Sequence, residues 1–444
     1  MALYTKEEAK KLMERVLSYA TADETEINLS GNIDGNIRYA RNSVSTSGEV
    51  INVNLAVSSS YGKRTGIATI DELDEASLKK VVARAEELAK LAPENDERMP
   101  LLGPQTFAET KEWFESSANI NPDYRASVAE ASIKAAEEEK LVAAGFFNNT
   151  NFFNAVLNSK GMFAYHRGTN ATFNLTVRDE AGTTSGYAND VQNDISKFDA
   201  KATSMRAVKK AAANRNAVAL EPGKYTVVLE PLAAAELIQR MFFAMNQRTA
   251  DEGRSFMTKT GGGTRVGEKL FDERVTMYSD PQHPELPTQA WDGEGQALSK
   301  TMWIEKGVVK NLAVSRYWAE KTGKAPLPFG ANMIMEGGTE SLEDLIKGTQ
   351  RGILVTRFWY IRQVDPKTEL YTGLTRDGTF YIENGKIKHP VKNFRYNESP
   401  VIMLNNVDAL GKPVRVLAEE TGSTVLVPPM RIRDFTFSSL SDAV

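Results

Sequence analysis

From Glu26 to Ile70 the chain alternates polar and apolar residues, as in Glu49-Val50-Ile51-Asn52-Val53-Asn54-Leu55. A period of two sustained this long calls for an antiparallel sheet with one buried face. Gly31, Gly35, Gly48 and Gly62 are read as its turns. Helical signals flank the run. Thr5 and Glu8 form a capping box ahead of Leu12, Val16 and Leu17 at helical spacing. Residues 74–91 place Leu78, Val81, Val82, Ala85 and Leu88 on one stripe before Pro93 stops the helix.

The same theme returns further on. After a proline-bearing stretch (Pro93, Pro100, Pro104), a helix is expected from Pro122 to Leu141, then strands over 146–156, 162–167 and 171–177, divided by Gly168 and Gly182. A helix over 195–214 follows, with Phe198, Ala202, Met205, Val208 and Ala212 on its apolar stripe. At Leu220-Glu221-Pro222-Gly223-Lys224 the pattern changes to a buried strand, Tyr225 to Leu229, entering a helix at Pro231. Beyond it the chain is strand-rich. Trp303-Ile304-Glu305-Lys306-Gly307-Val308 and Tyr381-Ile382-Glu383-Asn384-Gly385-Lys386 both read as hairpins with a polar-Gly turn, an echo that hairpin chemistry explains better than duplication. The 444 residues suit two or three domains at roughly 150 residues each. The reading is an α+β protein: an N-terminal module over 1–100, a middle module over 101–218, both with helix-flanked antiparallel or mixed sheets, and a strand-rich module over 219–444 that is barrel-like or a large sheet.

Composition removes several functions. There is no Cys, hence no disulfide, thiolate nucleophile or Cys metal ligand. No stretch reaches the roughly 18 apolar residues of a membrane span. The start, MALYTKEEAKKLMERVL, interleaves Lys and Glu where a secretory signal is apolar. A soluble, cytoplasmic protein is therefore expected. A net charge of −4 disfavours a protein whose affinity comes from neutralising phosphates.

Catalytic chemistry finds little support in the residues themselves. The three histidines, His166, His283 and His389, lack a second His at helical spacing, and surface or loop roles are favoured over a shared zinc site. There is no Gly-x-Ser-x-Gly elbow, and Thr260-Gly261-Gly262-Gly263-Thr264 lacks the Lys-Ser/Thr ending of a phosphate loop. Asp292-Gly293-Glu294-Gly295 could hold a cation or a peptide amine, although a strand-capping turn is favoured.

Three passages combine into a resemblance: Tyr225-Thr226-Val227-Val228-Leu229-Glu230-Pro231 opening a helix; the Asp292 to Gly295 turn leading to Ile304-Glu305-Lys306-Gly307; and Thr372 to Gly385 followed by Pro390-Val391-Lys392-Asn393-Phe394-Arg395-Tyr396-Asn397. Together they resemble the TldD/PmbA (TldE) family over essentially the whole chain, most specifically in its C-terminal half. That family contains zinc metallopeptidase subunits, historically called modulators of DNA gyrase, and partner subunits without the metal motif. In the zinc subunits the helix carries His-Glu-x-x-x-His, a later Cys completes the metal site, and the Glu is the general base. Aligned without gaps from Val227-Val228-Leu229, this chain has Gln239, Arg240 and Ala244 at the His, Glu and His positions. The resemblance thus implies a metal-free PmbA/TldE-type chain that is not catalytic alone, with zinc held by a TldD-like partner. It implies a heterodimer, or a homodimer, acting on small or unfolded peptides. Candidate peptide contacts are Thr372, Gly373, Arg376 and Asp377 on the C-terminal hairpin, with Asp292 and Glu294. The alternatives are a stand-alone metallopeptidase using the histidines and a non-enzymatic protein acting on gyrase.

Overall fold

Thr5 caps the first helix, α1 (Lys6–Leu17), and both bonds of the capping box are present. The computed structural model describes residues 3–441. After α1 come β1 (Glu24–Ala40), β2 (Ser43–Tyr61) and β3 (Arg64–Ile70), then α2 (Glu75–Leu91) with Asp74 as its N-cap. The next unit holds α3 (Pro122–Glu138), β4 (Val142–Asn158), β5 (Phe163–Arg178), β6 (Ser185–Gln192) and α4 (Ala200–Ala213). Its strands and those of the first unit form one six-stranded sheet in the order β3-β2-β1-β4-β5-β6. Residues 1–100 and 101–218 are therefore joined by the β1–β4 pairing, which runs from Glu26 opposite Asn158 to Tyr39 opposite Gly145.

One face of that sheet carries both helix pairs. Ile27, Leu29, Phe153 and Leu157 pack with α1 and α2, while Ile37, Tyr39 and Phe147, farther along the same strands, pack with α3 and α4. All these strand residues are odd-numbered, so they share a face. Two apolar cores thus sit end to end on one side of long strands.

The glycines depart from the sequence expectation. Gly62 is a turn, but Gly31 and Gly35 lie inside β1, Gly48 lies inside β2, and β5 continues through Gly168. Each buried one is a place of close approach. A Cβ on Gly168 would lie 2.5 Å from the Phe152 ring, and one on Gly35 would strike the Arg125 guanidinium. Glycine in a strand here makes room for a neighbour's bulk. The helix expected over 195–214 begins at Ala200, because Asp199 accepts from the Ala202 N–H as N-cap.

In the remaining residues β7 (Gly223–Leu229) leads into α5 (Pro231–Phe243), with Pro231 in the first turn. A nine-stranded mixed sheet runs from edge strand Phe358–Asp365 through Leu370–Thr375, Phe394–Glu398 and Met430–Leu440 to β7. It continues through Arg351–Val355 and Thr379–Glu383 to Lys386–Pro390, and Val407–Leu410 pairs beside this path. The form taken is the large sheet; the barrel-like alternative is not adopted. A second, six-stranded sheet ends in Ser423–Val427 and Val414–Ala418. Both expected hairpins form, with Lys306-Gly307 and Asn384-Gly385 at positive φ, the backbone that a two-residue turn of this type needs. Helix α5 touches strands of both C-terminal sheets, and its residues from Leu232 to Phe242 are almost all buried in the largest core.

Candidate functional site around helix α5

A helix buried on nearly every side should be apolar throughout, yet α5 carries Glu236, Gln239 and Arg240. Spacings of three and four put these on one stripe, and the stripe faces the tight turn between Val414–Ala418 and Ser423–Val427. The Glu420 N–H donates to Glu236 Oε1 at 3.2 Å, the Thr421 hydroxyl donates to Gln239 Oε1, and Arg240 pairs with Glu420 at 2.7 Å. Glu420 also accepts the N–H groups of Tyr360 and Ile361. One carboxylate thereby ties α5 to the edge strand Phe358–Asp365.

Glu419, its neighbour, accepts from Arg357 and from the Tyr187 hydroxyl of β6. Arg357 also pairs with Asp377 at 2.6 Å and lies against the rings of Tyr187 and Trp359, 4.0 and 4.6 Å from their centroids. The guanidinium is held above its usual range by Glu419 and Asp377 against the opposing pull of burial. This cluster joins the middle unit to the C-terminal sheets.

Several polar atoms here have no hydrogen-bond partner: Glu236 Oε2, Arg240 Nε, Asp377 Oδ1 and the Tyr396 hydroxyl. Burial pushes the Glu236 carboxyl up to about 7, opposed by the Glu420 N–H and by Arg240. Burial likewise drives the Tyr396 phenol well above its ordinary value. A buried carboxyl with one unpaired oxygen favours its proton.

The C-terminal end of α5 opens on a cleft of about 490 Å³ bordered by Phe243, Ala244, Gln363 and Glu369. Glu369 is wholly buried, accepts from the Tyr371 hydroxyl at 2.5 Å, and is pushed up to about 7 by burial.

The sequence-derived site residues divide between two places. Gln239 and Arg240 form the stripe, and Ala244 borders the cleft. Arg376 and Asp377 belong to the Arg357 cluster, with Asp377 paired to Arg357 and Arg376 5.1 Å from the Trp359 ring centroid. Thr372 donates to the Tyr396 carbonyl at 3.2 Å. Gly373 leaves room for the Tyr396 ring, since its Cβ would lie 2.5 Å from that hydroxyl. Asp292 and Glu294 lie elsewhere, in a turn beside Asn154 and Trp291. Asp292 Oδ1 accepts the N–H groups of Glu294 and Gln296, and Glu294 faces Arg316 at 3.8 Å. Glu236, Glu419, Glu420, Arg357 and Tyr187 escape sequence reasoning because their partners are far away in the chain. The only local signal is two adjacent acids before Thr421-Gly422.

A zinc ion does not fit these side chains. Gln239 offers a neutral amide oxygen already used by Thr421, Ala244 offers no donor, and the Arg240 guanidinium repels a dication. His166 pairs with Glu112 at 2.6 Å, His389 stacks on Tyr381, and His283 sits in a loop where burial lowers its pKa. Among the described residues no group of three or more His, Cys, Asp or Glu is placed to hold a metal.

This architecture is that of a metallopeptidase-like fold. Residues 222–439 match the PmbA/TldA metallopeptidase C-terminal domain and residues 115–215 the central domain, and the chain belongs to this PmbA/TldD family. TldE from Thermococcus kodakarensis superposes with a TM-score of 0.86 over 97% of this chain and 99% of that one, at 22% identity. A Thermotoga maritima protein described as a candidate modulator of a DNA gyrase gives 0.84 over 97% and 100%, at 16% identity. These likenesses speak for the fold. In sequence, a metalloprotease of Methanothermobacter thermautotrophicus is 27% identical over 38% of this chain and 41% of its own length. The metalloprotease PmbA of Escherichia coli O157:H7 is 23% identical over 50% and 49%. The chain thus spans about half or less of the length of these curated relatives.

Proposed function

We propose that this chain is a metal-free accessory subunit of a TldD/TldE-type zinc metallopeptidase assembly that processes small or unfolded peptides in the cytoplasm. The observation that carries the reading is the filling of the motif positions by the protein's own bonds, Arg240 to Glu420 and Gln239 to Thr421. A general base needs a free carboxylate beside the attacking water; position 240 holds a fixed cation instead. The subunit's part is to complete the assembly and hold substrate, while a zinc-bearing relative supplies the hydrolysis. No helix among the described residues is long and apolar enough to cross a membrane, which agrees with this setting.

The test mixes the purified chain with a TldD-like relative carrying His-Glu-x-x-x-His and follows mass by light scattering, zinc by elemental analysis and cleavage of a denatured casein peptide pool. The expected result is a stable assembly whose cleavage is lost with chelator, while this chain alone holds well below one zinc and cleaves nothing. Near-stoichiometric zinc in the chain alone, lost when His166, His283 and His389 are replaced, overturns the reading.

A further inference from the structure

Strand β5 is longer than the strand beside it. β6 pairs with it only from Ala171 to Arg178, so Phe163 to Asn170 have β4 on one side and no strand on the other. A loop from Gln105 to Trp113 lies along that open edge, tied to it where the Thr169 N–H donates to the Glu112 carbonyl at 3.1 Å. Between the loop, the strand and the start of α1 is a cleft of about 870 Å³, the size of a small-molecule site.

Its walls are aromatic. Phe107 and Trp113 come from the loop, Phe163 and Tyr165 from the strand, and each is half-buried, so part of every ring remains open to a ligand. Trp291 closes the floor, edge-on to Phe107 at 5.7 Å and to His166 at 6.2 Å between ring centroids. Rings gathered in this way bury a large apolar area against a flat ligand.

The same walls carry Lys6, Lys111 and Arg167 against one acid, Glu109. None of the three cations is paired with a carboxylate among the described residues, and His166 is already bonded to Glu112 at 2.6 Å. The chain as a whole carries a charge of −4, so this local excess of positive charge runs against the sign of the whole molecule and draws anions to one place. The Arg167 guanidinium lies over the Trp113 ring, 4.6 Å from its centroid. That stacking orders the side chain, while its N–H donors stay unused among the described residues. The backbone N–H groups from Gln105 to Lys111 likewise donate to nothing among the described residues. Free backbone donors beside an ordered guanidinium make a receptor for an oxyanion.

A bare anion would engage the cations and leave the rings uncovered; an uncharged ring would do the reverse. A flat aromatic ring joined to a phosphate satisfies both. We propose that this cleft binds a free nucleoside monophosphate, with its base against the aromatic walls and its phosphate on Arg167, Lys111 and the N–H groups of the loop. The volume suits one nucleotide, whereas proteins that bind single strands track several along a groove. The site uses none of the residues around α5 and is independent of the accessory-subunit reading.

Calorimetric titration of the whole chain at low salt, with AMP, adenosine and inorganic phosphate in turn, tests the assignment. AMP is expected to bind, and each of its two parts to bind at least about tenfold more weakly, because each meets only half of the site. Irradiation with 8-azido-AMP is expected to label peptides holding residues 105–113 or 163–167, and excess AMP to suppress the labelling. Arg167→Gln, made at an exposed side chain, is expected to weaken AMP about tenfold, with the circular dichroism spectrum and the urea midpoint unchanged. Trp113→Leu is expected to weaken it by about the same factor through lost stacking. Absence of AMP binding, equal affinity for AMP and either of its parts, labelling confined to other peptides, or an unchanged Kd in Arg167→Gln overturns the proposal. Tighter binding of a short oligothymidylate than of AMP also overturns it, in favour of a site for single-stranded nucleic acid.

Discussion

The two polar regions of this molecule are built on opposite terms. On the N-terminal sheet, neutral amides such as those of Asn148 and Asn170 stand half-exposed and donate to neighbouring threonine hydroxyls. Around α5, full charges are enclosed, with Arg357 7% and Asp377 1% exposed. Neutral polar groups facing water cost little and can be exchanged cheaply. Enclosed charges have lost hydration and depend on each other. The difference teaches where this chain tolerates change: half-exposed neutral groups can be replaced at little cost, whereas the α5 region is a fixed ionic junction whose charges depend on one another.

The sharpest way to break the comparison is to remove its most enclosed cation. Arg357→Ala leaves Asp377 and Glu419 without their partner and withdraws the packing of Tyr187 and Trp359. The expected loss is about 3–5 kcal/mol in urea unfolding. The neutral combination Arg357→Met, Asp377→Asn and Glu419→Gln is expected to recover most of it, because no charge is then stranded. An unchanged urea midpoint for Arg357→Ala would place this junction in the same class as the amides of the N-terminal sheet.

A second, smaller effect uses pH. Glu236 has its carboxyl raised to about 7 in the folded protein, against about 4.3 for an unfolded Glu. The folded state therefore binds the proton more tightly, and the stability this confers is full below about 4.3 and lost as pH rises through 7. Glu236→Gln keeps the neutral form at every pH. Its stability relative to the parent should be flat below about 4.3 and should rise by on the order of 3–4 kcal/mol by pH 8. Glu369 titrates in the same range, but it is present in both proteins and cancels. A difference that stays flat from pH 4 to 8 would mean that Arg240 keeps Glu236 ionised.

How much of this was legible in the sequence depends on how far apart the interacting residues are. The capping box of α1, the two echoing hairpins and the entry of α5 at Pro231 are short-range, and each stands where expected. The strand glycines are a different matter. Gly168 reads as a break until Phe152, on the neighbouring strand, is known to lie over it. Ala202 reads as part of an apolar stripe but is exposed, because the start of α4 at Ala200 turns other residues, Ala207 and Ala211 among them, towards the sheet. Around α5, the resemblance draws attention to Gln239, Arg240 and Ala244, yet it does not say what they bond. Arg240 finds Glu420 from 180 residues away, and no local pattern announces that pairing. The amides of the N-terminal sheet are the reverse case: Asn28, Asn32 and Asn36 recur within one strand, so their pattern was present locally, and only the assignment of the face required the pairing with β4.

The smallest effect tests the tolerant side of the comparison. Asn36→Ala, Asn148→Ala and Asn170→Ala remove three partly exposed amides whose places water can take, and the links they break are neutral. Together they are expected to move stability by no more than about 0.5 kcal/mol for each site, with the urea slope unchanged because no additional surface is exposed on unfolding. A combined loss near that of Arg357→Ala would show that these amides act as a cooperative network and help hold β1, β4 and β5 in register.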